Sequence, residues 1–148
     1  MHILILIKRR QMILKLMLLT ELKDMRENGY IKKAKKFLEL AKKEIEKSKK
    51  NGNLNIAVDG CEKAWLAVVL ATNGLFFKKG VEEKKLPQNH RGRMYLLKKY
   101  GNREMIKTYD HLKDLLHSEG FYNQFIDYDL INLAFEDLED YIKTIENL

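Results

Sequence analysis

From Tyr30 to Lys50 the apolar residues Ile31, Ala34, Leu38, Ala41 and Ile45 recur at steps of three and four, and nine lysines fill other positions. That spacing predicts an amphipathic helix, closed at "NGN" by Gly52, a residue that takes the left-handed conformation without strain. Leu54 to Phe77 differs, because Ala64 to Phe77 ("AWLAVVLATNGLFF") carries no charge. A helix apolar on every side belongs in the centre of a fold, and its Gly60 and Gly74 mark places where another backbone comes close. Leu70, in the middle of that run, is therefore expected to be buried. "KKGVEEKKLPQ" reads as a charged loop, Asn89 as the cap of a short helix His90 to Tyr100, and Asn102 as the cap of another that runs to Ser118 and breaks at "SEGFYN". The last segment, Asn123 to Leu148, places Ile131, Ala134, Leu138, Tyr141, Ile142 and Ile145 on one face and acids on the other. The pattern predicts an all-α, antiparallel up-and-down bundle of four long helices plus a short one.

Residues 1–29 do not fit that scheme. "MHILILIKRRQMILKLMLLTEL" mixes apolar runs with Lys8, Arg9, Arg10 and Lys15, so it lacks the ~18 uncharged residues that a membrane span needs. Lys15 also interrupts any signal-peptide core, and no small-residue cleavage site follows. Met12, Met17 and Met25 each offer a later start. Residues 1–29 are read as an unassigned N-terminal extension and residues 30–148 as the folded domain. With 45% hydrophobic and 33% charged residues, one proline and eight glycines in 148, the composition excludes disorder and favours helix over turn-rich sheet.

Charge changes the picture. Residues 1–101 carry 24 Lys/Arg against 10 Asp/Glu, and residues 102–148 carry 4 against 11, so the two parts stand at about +14 and −7. A basic part of this size suits polyphosphate, docking between copies, or simple solubility. Cys61 is the only cysteine, which excludes an internal disulfide and suits a reducing cytoplasm. The cysteine and four histidines match no zinc spacing, so neither metal nor cofactor is expected.

The candidate chemistry lies in three places. His90, Arg91 and Arg93, with Lys98 and Lys99 further along, form a basic cluster at a helix start, where backbone amides also attract anions. The alternative is a solvent-facing helix start with arginine packing over apolar surface. His117 with Glu119 and Tyr122 offers a local acid/base group, or else a polar helix end beside a buried Phe121. His111 stands at the edge of an apolar stripe and reads as structural.

A lysine-rich first helix, "DGCEKAWLAVVLATNGLFFKKG", a connection ending in "NHRG", and "LHSEGFYN" before a final helix together resemble the HEPN domain superfamily. The likeness is closest to its archaeal PaREP1-like branch and spans about residues 30–148. The resemblance implies a bundle of four or five helices, usually a homodimer, in a superfamily linked to nucleotides and RNA. It also implies that many relatives are ribonucleases, often toxins paired with a small nucleotidyltransferase antitoxin, that carry an Arg and a His four to six residues apart. Here Arg103 precedes His111 by seven intervening residues, about two helical turns or ~12 Å along the axis, and no arginine stands four to six residues before His90 or His117.

The expectation is a nucleotide- or RNA-associated binding module in the cytoplasm that captures phosphate through His90, Arg91, Arg93, Lys98 and Lys99. The alternatives are a divergent metal-independent ribonuclease drawing on His90, His111, His117 or Arg103, and a scaffold for a protein partner.

Overall fold

The computed structural model describes residues 2–148, except for the side chains of residues 20–25 and 27. Met1 and the side chain of Met25, two of the candidate starts, lie outside the described residues. Helix α1 runs His2–Asn51, α2 Leu54–Lys78, α3 His90–Tyr100, α4 Arg103–Leu112 and α5 Tyr128–Glu146. A single 3-10 turn, Glu83–Lys85, lies in the α2–α3 connection, and α4 continues without a break into a π-helical segment, Lys113–Tyr122. There is no strand among the described residues, and the fold is an all-α bundle.

Helices α1 and α2 form its spine. Ile31, Ala34, Leu38, Ala41 and Ile45 are all buried, as their spacing predicts. Both α2 glycines sit where α1 approaches: a Cβ on Gly60 would lie 3.3 Å from Glu44 Cβ, and one on Gly74 would lie 3.1 Å from Tyr30 Cβ. Gly52 turns the chain between them with φ +66°. Helix α5 returns antiparallel to α1, because Tyr128 meets Ser48 (2.7 Å between hydroxyls), Glu139 meets Lys42 (3.7 Å) and Glu146 meets Lys35 (2.6 Å).

Three sequence expectations give way to the structure. The uncharged run of α2 is not covered on every side: Leu66 is exposed, and Val69 and Leu70 are half-buried, whereas Val68, Leu75 and Phe76 are fully buried. Five elements pack on α2, yet they leave one stripe of it partly open. Helix α4 does not stop at Ser118, since "SEGFY" continues it with a wider winding. Gly120 makes this possible, because a Cβ there would stand 2.7 Å from Cys61 Sγ and 2.9 Å from Cys61 Cβ. Finally, α5 starts at Tyr128 rather than Asn123, where the Asp127 carboxylate accepts the amides of Asp129 and Leu130 (both 3.1 Å).

Cys61 is buried, and burial, helped by Glu62, pushes its thiol up to about 12, so it is an inert core group. Thr72 donates to the Val68 carbonyl or shares its hydroxyl with that of Tyr141, each at 2.7 Å. Burial raises the Tyr141 phenol well above its ordinary value, which keeps this core pair neutral.

Two stability measurements check this packing. Leu75→Lys strands an ammonium in the core and is expected to cost upwards of ~4 kcal/mol in urea unfolding, whereas Leu70→Lys reaches solvent and costs less than half as much. Gly120→Ala is expected to cost about 1–3 kcal/mol through overpacking against Cys61, and Cys61→Ala combined with it restores part of that loss. Equal losses at Leu70 and Leu75 would refute the half-open placement of α2.

Candidate functional site

The segment "PQNHRGR" owes its shape to local contacts. Asn89 Oδ1 accepts the Gly92 amide at 2.8 Å and so starts α3, while Pro87 packs so close to Gly92 that a Cβ there would lie 3.0 Å from Pro87 Cβ. Once α3 is wound, the basic cluster divides by helical period. His90, Arg93 and Leu97 face inward, and Arg91, Tyr95, Lys98 and Lys99 are exposed. The expected surface cluster is therefore two faces. Arg93 retains only 8% exposure, because its guanidinium lies over the Trp65 ring (5.8 Å from the centroid) and its Nε donates to the Tyr109 hydroxyl at 2.7 Å.

Tyr109, fully buried on α4, joins this arginine to a histidine. His90 Nδ1 lies 3.1 Å from the same hydroxyl, and the two rings stack at 5.3 Å with 7° between their planes. Arg93 can only donate, so the phenol oxygen is its acceptor; whichever way the proton lies toward His90, Nδ1 is occupied and Nε2 faces no protein partner among the described residues. Burial lowers the His90 pKa below 6.5, with the charges of Lys113 and Arg93 adding to the effect and Asp110 and Asp114 opposing it. The imidazole is neutral at pH 7. Burial likewise raises the Tyr109 phenol, against the pull of Arg93, so the hydroxyl keeps its proton.

Trp65 also receives His117, carried by the π-helical segment. The two rings stack at 5.2 Å, and His117 Nδ1 lies 3.2 Å from Glu62 Oε2 on α2. The carboxylate partner expected for His117 was Glu119, but that residue is exposed and its carboxylate instead receives the Asn123 amide group at 3.4 Å. The widened winding carries His117 toward α2. Tyr122 does meet His117, edge to face at 4.8 Å, and Phe121 beside it is half-buried rather than buried.

The remaining candidates lie apart. His111 is exposed and faces Asp137 of α5 at 3.9 Å, and Arg103 is exposed at the first turn of α4, two turns from His111. Lys99 rests over the Tyr100 ring at 5.2 Å. Among the described residues no group of three His, Cys, Asp or Glu side chains is placed to hold a metal ion, and no helix is long and apolar enough to cross a membrane.

Six residues from four elements thus meet: His90 and Arg93, Tyr109, Trp65 and Glu62, and His117. Reading the sequence missed Glu62, Trp65 and Tyr109 as site residues, since each has the spacing of core or of an ordinary helix face. Tyr95 could have been found, because it falls on the turn between Arg91 and Lys98. No family model, curated protein or solved structure matches the chain.

The His90 environment has a pH signature. Unfolded, His90 titrates near 6.5; folded, it titrates lower, so between these values the unfolded chain binds more protons. Stability is expected to fall as pH drops through 6.5 toward the folded midpoint and to level off below it, with this component absent in His90→Gln. Urea unfolding of both proteins from pH 5 to 8 measures it, and parallel curves would refute the buried neutral imidazole.

Proposed function

We propose that the chain is a nucleotide- or RNA-associated module that binds phosphate at the start of α3. One observation carries this reading: Arg93 is buried with no carboxylate within ion-pair distance among the described residues. A guanidinium in that position has lost water without gaining a counter-charge, and contact with Trp65 offsets only part of the cost. A phosphate oxygen supplies the missing charge. His90 Nε2 and the exposed Arg91 stand on the same turn, and Tyr95, Lys98 and Lys99 extend the basic face along α3 with an aromatic ring on which a base can stack. The HEPN-like resemblance of residues 30–148 points to the same ligand class, and a nucleotidyltransferase partner rests on that resemblance alone.

A specific arrangement favours a second reading, a metal-independent ribonuclease. His90 and His117 are each held through Nδ1, by Tyr109 and by Glu62, and each leaves Nε2 for a substrate. Cleavage of RNA at a 2′-hydroxyl needs one group to take a proton, one to return it to the leaving oxygen, and a cation for the phosphate. Arg93 meets His90 inside one chain, so the spacing rule that Arg103 and His111 fail is not the route by which this chain would assemble such a set.

A single gel in EDTA tests both. Labelled single-stranded RNA is expected to be retarded by the wild type, with affinity falling about tenfold in Arg91→Ala plus Lys98→Ala and a salt dependence shallower by about 1.5, the loss of two phosphate contacts. Cleavage that disappears in His90→Ala would replace binding by catalysis, and indifference to RNA at every salt concentration would refute both.

A further inference from the structure

The first part of α1 breaks the rule that the rest of the molecule obeys. Residues 2–19 are all exposed, among them Ile3 at 73%, Leu6 at 62% and Met17 at 58%. Polar positions interrupt this surface only with His2, Lys8, Arg9, Arg10, Gln11 and Lys15, and no acid occurs before Glu21. A helix so apolar on all sides is one that is covered by something, and exposed apolar area on this scale marks an interaction surface.

The chain's own body does not supply the cover. Helix α1 is continuous, and among its described side chains the first buried one is Ile31, so residues 3–19 form an arm whose tip lies about 40 Å along the helix from that residue. The arm leaves the body at Tyr30 and Glu83, joined by a 3.0 Å hydrogen bond. From that end α5 runs back beside α1, from Glu146 near Lys35 to Tyr128 near Ser48, in the direction opposite to the arm. Folding the arm onto its own bundle would require breaking α1.

A complementary surface exists on α5. Its outer face carries Asp129, Leu133, Glu136 and Asp140 at helical spacing, with Leu130 beside them; Leu133 is 56% exposed. Asp129, Glu136 and Asp140 have no cation within ion-pair distance among the described residues, unlike Glu139 and Glu146 on the flank. The outer face of α1, by contrast, presents Lys32, Lys33, Lys36, Lys43 and Lys47 and repels a basic arm. Lengths agree as well: residues 3–19 span about 24 Å, and the 19 residues of α5 about 28 Å.

We infer that the arm of one chain docks along the outer face of α5 in a second copy. Lys8, Arg9, Arg10 and Lys15 lie against Asp129, Glu136 and Asp140, while apolar arm residues cover Leu130 and Leu133. Reciprocal exchange of arms closes the assembly as a two-fold dimer. The neutralised acids account for why the acidic part of the chain is gathered on an exposed helix.

Sedimentation equilibrium of the full chain tests this, with circular dichroism as a check that each variant is folded. The wild type is expected to be a dimer. Glu136→Lys plus Asp140→Lys is expected to weaken the dimer at least about tenfold, and adding Arg9→Glu plus Arg10→Glu to return it to within about threefold of wild type, because the charges are then exchanged across the same contact. A dimer untouched by reversal on α5 would overturn the proposal in favour of arm-to-arm pairing. A monomer, whether or not it co-sediments with phosphatidylserine vesicles, would overturn it too, and binding to the vesicles would make lipid the arm's occupant.

Discussion

Everything in the bundle is arranged around the need to cover α2. Fourteen consecutive residues without a charge, Ala64 to Phe77, leave that helix no face that water solvates well. Helix α1 covers it at close range because Gly60 and Gly74 carry no Cβ, which would stand only 3.3 and 3.1 Å from α1 side-chain atoms, and α5 packs against both helices. The cover supplied by α3, α4 and the π-helical segment is shorter and includes polar side chains. That is where the chemistry lies: Arg93, Tyr109 and His117 are brought together because their helices must lean on Trp65.

The polar groups on that side form a chain of obligations rather than a scatter of contacts. A fully buried phenol needs a partner, and Tyr109 finds Arg93 and His90. His90 is thereby fixed in plane, and burial keeps it neutral, while Arg93 is fixed without being neutralised. The site combines a held base and an uncompensated cation at the start of a helix. An anion would supply what this combination lacks, which is what supports the proposed phosphate reading over any chemistry of neutral substrates.

Much of the fold was legible because helical period and capping residues are local. The stripe from Ile31 to Ile45, the turn at Gly52 and the caps Asn89 and Asn102 all lie where the pattern of apolar and polar residues puts them. The continuation of α4 past Ser118 was not legible, because it depends on Gly120 meeting Cys61, 59 residues away in sequence. The site was half legible for the same reason. His90, Arg93 and His117 stand out as residue types, but a fully buried tyrosine at Tyr109 looks like core, and the partner of His117 is Glu62 on another helix rather than the neighbouring Glu119. Reading basic residues as one surface cluster also failed at Arg93, since three residues of helix separate His90 from Arg93 on the inward face and leave Arg91 outside.

The two ends of α1 show one physical rule with opposite outcomes. From Ile31 onward, apolar residues recur every three or four positions, so one face is buried and the lysines are solvated. Over residues 3–19 the apolar residues occupy every side, and a single neighbouring helix in the same chain could cover at most one of them. Cover for such an arm must approach from outside the bundle and must tolerate four cations within eight residues. An acid-bearing helix face with leucines between its carboxylates meets both conditions, whereas the lysine face of α1 meets neither. On these two proposals the division of charge along the chain concerns how copies meet as well as what the basic part binds: the proposed anion site on α3 and the acids on α5 lie on different helices, so each could be engaged without the other competing for it.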